Sequence, residues 1–519
     1  MVPVLNNMAT PRFLFVQTEQ ENIGVEYLSA ALKQNSIEIE LLFFDRIYSN
    51  NAFHLGKVTP NIDKENLIQK RIIKKIREYQ PEVVCFSPFT SQFLWTIKQA
   101  KLIKQKFPKV FVLFGGVHVN SVPETVIKQK CIDGIILGEA DKPIVEFANN
   151  FFDKNKLEKI ESLWIKKNGS VIKNKLAKLI SDLDNLPFPD KDIIYSQIPA
   201  DLLDKTYVIM ASRGCPFACT YCANNVYQKL YLGQKRLRFR SPVNIVTELF
   251  EAKKKYNFKM VEFFDDVLTV DEKRLDELLK LYRKKVKLPF TCYMHPQLMN
   301  EQIVKNLKKS GCCWLKMGVQ SANEEYRKKY LRRGETNQEI IQAALWCNKH
   351  KLTFSLDHIF NLPGETEENL VEAVRLYSKC KPTIINYGTL IYLPGTEIIE
   401  QGKKMGILSD KDIEMISEGK DPVVHMSNME LFTRKEKKIK NINISVFAMF
   451  MSLIPIAPTW FIMMLLKFKI YQVRSEVPQA IMVILKVLTK IHAKQLYIYV
   501  AVFKAIFSFN NNEKRITNY

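Results

Sequence analysis

The chain has 519 residues, ten of them cysteine, and a formal charge of +23. That length allows two or three domains with separate cores and excludes a small disulfide-stapled scaffold, while thinly spread cysteines without regular pairing fit a reducing, cytoplasmic setting. The first apolar run is too short and too mixed to read as a secretory signal.

From Arg12 to about residue 151, short apolar runs alternate with helical spacing: "FLFVQ" (13 to 17), "IELLFFD" (39 to 45), "VVCFSPF" (83 to 89), "VFVLFGG" (110 to 116) and "GIILGE" (134 to 139). Continuous apolar strands separated by helices predict a doubly wound, Rossmann-like α/β domain over 1–150, its parallel sheet covered on both faces. In such a sheet the ligand crevice lies beyond the strand carboxyl ends, where Ser87, Gly115, Gly116, Gly138 and Glu139 fall. Residues 151–204 are less regular, and the Pro- and Asp-rich "LDNLPFPDKD" (183 to 192) reads as an extended linker.

Six further strand candidates follow within 205–433: "YVIMAS" (207 to 212), "MVEFF" (260 to 264), "FTCYM" (290 to 294), "WLKMGVQ" (314 to 320), "FSLDHIF" (354 to 360) and "IINYGTLIYL" (384 to 393). The intervening helices are well punctuated. Ser241 and Pro242 suit an N-cap and first turn, Thr336 with Glu339 suits a capping box, and Gly311 suits a left-handed C-terminal position. Six strand and helix units predict a partial (β/α)6 barrel with its chemistry at the strand carboxyl ends.

Residues 434–519 change character to a basic, apolar, α-helical region, with 14 Lys and Arg against 3 Glu. The stretch 446–466 carries no charge in 21 residues, and 480–509 spaces Lys486, Lys490 and Lys494 by four along an apolar helix. Pro455 and Pro458 would kink a membrane-spanning helix. Peripheral attachment to the cytoplasmic face of a membrane explains the composition, and a helical subdomain buried on the barrel is the alternative. Nucleic acid is not expected, because the charges are interleaved with aliphatic residues rather than stacking platforms.

The segment "SRGCPFACTYCANN" (212 to 225) concentrates Cys215, Cys219 and Cys222 in a cysteine-sparse chain. A closed structural zinc site wants four ligands, commonly as two close pairs, and no second pair follows. Three thiols at this spacing suit three corners of a 4Fe-4S cubane, leaving the fourth iron open to bind and reduce something. A chance cluster or a redox pair is the bland alternative.

"CPFACTYC" resembles the cluster loop of the radical S-adenosylmethionine (SAM) superfamily, with Tyr221 at its aromatic position. The resemblance implies that SAM chelates the open iron and is cleaved reductively to a 5'-deoxyadenosyl radical, with electrons from a carrier such as flavodoxin or ferredoxin. It also implies SAM contacts from Asp265 and Asp266 in "FFDD" (263 to 266), and from Gln320, Ser321 and Arg333 in "GVQSANEEYRKKYLRRGET" (318 to 336). "FNLPGETEEN" (360 to 369) and "YLPGTEI" (392 to 398) are similar to the family's fifth and sixth strand ends.

Residues 12–150 resemble the cobalamin-binding domain of a subgroup that includes methylases of unactivated carbon and an anaerobic oxidative cyclase. The carrying pieces are "NIGVEYLSAALKQ" (22 to 34), "FSPFT" (86 to 90), "FGGVHVN" (114 to 120) and "GIILGEADKPIVEF" (134 to 147). One departure matters: the Asp-x-His-x-x-Gly loop that supplies a lower cobalt ligand elsewhere is missing. His118 stands where the subgroup often has a histidine, and cobalamin held by glycine backbone and by Ser87 and Thr90 hydroxyls needs no protein ligand to the metal. The resemblance implies methylation of a small or lipid-like molecule or, without cobalamin, oxidation, cyclisation or rearrangement. A non-catalytic binding protein of the same fold is the alternative from another class.

Overall fold

A computed structural model describes residues 10–19, 21–45, 64–198, 206–421 and 444–472, with isolated positions at 477, 481, 484, 485, 488 and 489. The chain forms two compact units that interleave in sequence. One comprises Met1–Gln197, Thr220–Arg236 and Ile391–Met426, and the other Ile198–Cys219, Leu237–Leu390 and Ser427–Tyr519. The division therefore falls inside the cysteine segment, between Cys219 and Thr220.

The first unit is built on a seven-stranded sheet. Its strands are β1 (Phe13–Glu19), β2 (Ile39–Asp45), β3 (Val83–Phe86), β4 (Phe111–Phe114), β5 (Gly134–Ile136), β6 (Leu163–Lys167) and β7 (Ser170–Lys173), in the order 2-1-3-4-5-6-7. β1 to β5 are parallel, and Leu14, Val16, Val84, Phe86, Val112 and Phe114 form the buried face shared with the flanking helices. The helix Ile23–Gln34 starts where the Asn22 side chain accepts from the Gly24 and Val25 amides.

β6 and β7 correct the reading of 151–204 as a linker. They are an antiparallel hairpin added to β5, and the turn is Asn168-Gly169, both at positive φ (49° and 79°). An Asn-Gly pair is a strong short-range hairpin signal, because both central residues of a type I′ turn need that conformation. Downstream, Lys191 is fully buried with its ammonium against Glu21 (2.5 Å) and Glu26 (2.7 Å), which fastens the Pro-rich segment to this unit.

The second unit carries six parallel strands: β8 (Thr206–Ile209), β11 (Met260–Phe263), β12 (Phe290–Met294), β13 (Cys312–Gln320), β14 (Phe354–Phe360) and β15 (Ile384–Thr389), in the order 15-14-13-12-11-8. A two-stranded ribbon of β9 (Ser212–Arg213) and β10 (Arg238–Phe239) stands apart. Side chains alternate, so Val261, Phe263, Leu315, Met317, Val319 and Leu356 join the core, while Glu262, Tyr293, Lys316 and Asp357 take the other face. Ser241 caps the helix Pro242–Tyr256, Thr336 and Glu339 form a capping box, and Gly311 lies at φ 99°. Cys292 and Cys312, their sulfurs 4.0 Å apart, belong to the apolar core, and burial raises the Cys312 thiol pKa well above its ordinary value.

The uncharged stretch 446–466 is two helices rather than one. Ile444–Leu453 buries Val446, Phe447, Ala448, Phe450 and Met451 in the barrel's own core, and Ser452 shares a 2.8 Å hydrogen bond with Tyr387 of β15. Thr459–Lys467 restarts after Pro458 and buries Ile462 and Leu466. Among the described residues no helix is long and apolar enough to cross a membrane. The Lys486, Lys490 and Lys494 pattern lies outside the described residues.

Candidate functional site

The cysteine loop leaves the carboxyl end of β8, and a carboxylate fixes its start. Asp265, just beyond β11, accepts from the Ala211 amide (3.0 Å) and from the Ser212 hydroxyl. Burial raises its pKa to about 6 even though both bonds favour the ionised form. β9 and β10 pair next, and Gly214 takes φ 86° immediately before Cys215. Cys219 is buried, whereas Cys215 and Cys222 are partly exposed; Tyr221, beside them, is also partly exposed. Asn224, at the start of the following helix, donates to the Cys222 sulfur at 3.7 Å. Among the described residues no three His, Cys, Asp or Glu side chains are placed to hold a single metal ion. A cubane asks for something different, since each thiolate takes its own iron.

Arg333 comes into the second unit by an uncommon route. The helical turn Glu324–Tyr326 widens into a π turn over Arg327–Leu331, which closes with Arg332 in the left-handed region. Arg327 is fully buried and ties the loop back by donating to the carbonyls of Ser321 (2.6 Å) and Glu335 (2.8 Å) and to Asn337 (2.9 Å). Arg333 then donates from Nε to Glu335 (2.6 Å), from one terminal nitrogen to the Gly318 carbonyl (2.7 Å), and from the other towards Cys219 Sγ (3.7 Å). Across the same carboxylate lies His295. Its Nδ1 accepts from the Gln297 amide, which leaves the proton on Nε2, 3.4 Å from Glu335. Burial first, then the charges of Arg333 and Arg327, push this imidazole down to about 2, so it stays neutral. Its ring stacks on Phe217 of the cysteine loop, with centroids 3.8 Å apart and planes 18° from parallel.

Gln320 ends β13 at φ 70°, just after the register shift opposite β14, and the buried Ser321 follows with its carbonyl taken by Arg327. Asp266 is exposed, one residue past the clamp. The barrel's inner face adds residues that no motif points to. Lys316 bonds Glu262 (2.5 Å) and Tyr293 (3.1 Å), and Asp357, which burial raises to about 6, accepts from Asn386 (2.9 Å). A charged residue in the middle of an otherwise apolar strand was the available signal.

In the first unit the carboxyl ends of β3 and β4 leave bare backbone. A Cβ on Gly116, at φ 89°, would lie 2.6 Å from Ser87 Oγ, whereas one on Gly115 would meet nothing closer than 3.7 Å. The β5 end is covered. A Cβ on Gly138 would lie 1.9 Å from the Tyr231 hydroxyl, which accepts from the Glu139 amide (2.8 Å), and Asn120 bridges the Gly138 amide and the Tyr227 hydroxyl. His118 is fully buried, its ring 4.1 Å from that of Phe93 and its Nδ1 3.2 Å from the Thr90 hydroxyl. Burial lowers its pKa to about 3. His118 and Thr90 are both buried in the first unit, and His118 Nε2 makes no hydrogen bond among the described residues.

Sequence comparison decides the family. The profile of the radical SAM superfamily matches residues 209–377, and that of the B12 binding domain matches residues 14–148. The chain carries a radical SAM domain preceded by a B12-binding domain. An uncharacterised methyltransferase of Pyrococcus horikoshii is 29% identical over 339 residues, 65% of this radical SAM chain and 72% of the relative. The anaerobic magnesium-protoporphyrin IX monomethyl ester cyclase of Cereibacter sphaeroides is 21% identical over 345 residues, 64% of this chain and 55% of the relative's length. Among solved structures, the cobalamin-dependent SAM radical enzyme OxsB, with aqua-cobalamin and SAM bound, superposes with a TM-score of 0.65 at 14% identity, covering 97% of this chain and 81% of its own. That likeness extends the shared fold along nearly the whole radical SAM chain.

Proposed function

We propose that this radical SAM protein is a cobalamin-dependent methyltransferase acting on an unactivated carbon of a small or lipid-like molecule. The carrying observation is the set of three thiols, Cys215, Cys219 and Cys222, on a clamped loop at the carboxyl end of β8. In such enzymes the cluster supplies the electron that splits SAM, and cobalamin supplies the methyl group.

The chain's own contributions are positional. Asp265 sets where the loop begins, and the Phe217 and His295 stack sets its middle. Gln320, Ser321 and the exposed Asp266 lie at strand ends, where a nucleoside and an amino acid moiety meet a barrel. Ser87, Gly115 and Gly116 offer backbone and a hydroxyl to a corrinoid that takes no metal ligand from the protein. The buried His118 fits that arrangement. A low-potential carrier such as flavodoxin or ferredoxin is the reductant this chemistry needs. Peripheral membrane attachment belongs to the same reading, carried by the exposed apolar residues of Thr459–Lys467.

Anaerobic reconstitution with iron and sulfide, with and without hydroxocobalamin, tests the proposal. The expected result is a cobalt absorbance band retained through gel filtration and 5'-deoxyadenosine formed from SAM. Cys219→Ala should lose the iron and at least 100-fold of that product. Product without a retained cobalt band would replace methyl transfer by oxidation or cyclisation. Wild-type protein that binds zinc tightly and cleaves no SAM would overturn both readings.

A further inference from the structure

Arg333 matches the position at which the superfamily presents a basic residue to the SAM carboxylate, yet its guanidinium is already committed. It is 5% exposed, Nε lies 2.6 Å from the fully buried Glu335, one terminal nitrogen holds the Gly318 carbonyl at 2.7 Å, and the other lies 3.7 Å from Cys219 Sγ. A planar fork gripped at two of its nitrogens cannot swing, so the direction of the third is fixed by its supports. Those supports are themselves restrained. Arg327 holds the Glu335 carbonyl, and the neutral His295 approaches the other carboxylate oxygen while stacking on Phe217, two residues before Cys219.

We propose that Arg333 is a positioning residue for the cluster, donating a charge-assisted hydrogen bond to the Cys219 thiolate and making the cluster easier to reduce. The proposal rests on the cluster-binding reading above. Reduction adds negative charge to a cluster, and a cation with an N–H aimed at a ligand sulfur stabilises that added charge. Glu335 fixes the fork and offsets part of the cation, so the tuning belongs to the pair.

The test is an anaerobic redox titration of the reconstituted full chain without SAM, the reduced cluster being read by electron paramagnetic resonance. Arg333→Met should make the cluster about tenfold harder to reduce, a downward midpoint shift of about 59 mV for one electron. Arg333→Lys, which keeps the charge without the fork, should shift it less. Glu335→Gln should move it upward, because the guanidinium loses its counter-charge. A midpoint unchanged in Arg333→Met, with iron content intact and SAM binding weakened, would overturn the proposal in favour of direct SAM contact. Loss of iron from both Arg333 variants with circular dichroism unchanged would also overturn it, reducing the residue to scaffolding. Failure of the wild-type chain to assemble a cluster would instead refute the underlying functional reading.

Discussion

Burial sets the chemistry of single residues in the barrel more than their neighbours do. Glu365, beyond β14, is fully desolvated; it accepts from the amide of Asn361, which is held at φ 60°, and its carboxyl pKa is raised to about 8. A carboxyl group that folding makes harder to ionise stabilises the fold fully below its unfolded pKa, and that contribution is lost as pH rises through the folded one. The urea midpoint should therefore fall between about pH 5 and 8, with Asp265 and Asp357 contributing near 6. Glu365→Gln should flatten the upper part of that profile, and an unchanged slope would count against the assignment. The cysteines, Gly116 and Arg333 were legible in sequence as site candidates. Their partners were not: Glu335, His295 and Phe217 come from separate segments, and only the fold brings them onto one carboxylate and one ring face.

At the scale of elements, alternation and capping carried most of the fold. All six barrel strands overlap the apolar runs of five to ten residues that predict them, since the face turned to the helices is largely apolar even where Glu262, Lys316 and Asp357 take the other face. The β6 and β7 hairpin escaped because its half-exposed strands carry lysines, leaving the Asn168-Gly169 turn as the local sign. The helix Ile444–Leu453 was legible in composition but not in destination, because an apolar helix looks alike in a membrane and in a core. Phe447 is fully buried in the barrel core, with its ring 5.7 Å from that of Tyr471. Phe447→Ala should cost about 3–5 kcal/mol by urea denaturation. Trp460→Ala, at an exposed position, should stay within about 0.5 kcal/mol.

Across the whole molecule, charge is concentrated rather than spread: 14 of the Lys and Arg and only 3 Glu lie in residues 434–519. Trp460 and Phe468, 68% and 69% exposed, lie eight residues apart, on the helix Thr459–Lys467 and at its carboxyl-terminal cap, with Met464 midway between them and Lys467 and Lys469 adjacent. Aromatic side chains seat at headgroup depth, and each nearby lysine adds about 1 kcal/mol on an anionic surface. Full-length holoenzyme should sediment with phosphatidylcholine vesicles containing phosphatidylglycerol and much less with phosphatidylcholine alone. Added salt and the double substitution Trp460→Ala, Phe468→Ala should both release it. Salt-insensitive sedimentation, or none, would exclude this surface as the attachment.

The interleaving of the two units bears on the order of synthesis. The end of β5 is closed by Tyr227 and Tyr231, and a Cβ on Gly419 would lie 3.2 Å from the Thr90 carbonyl, although these partners are translated long after the strands they complete. The amino-terminal domain therefore leaves the ribosome unfinished and waits for some 270 further residues to arrive. A gene fragment ending at the apparent domain boundary would encode a sheet with one end open to water.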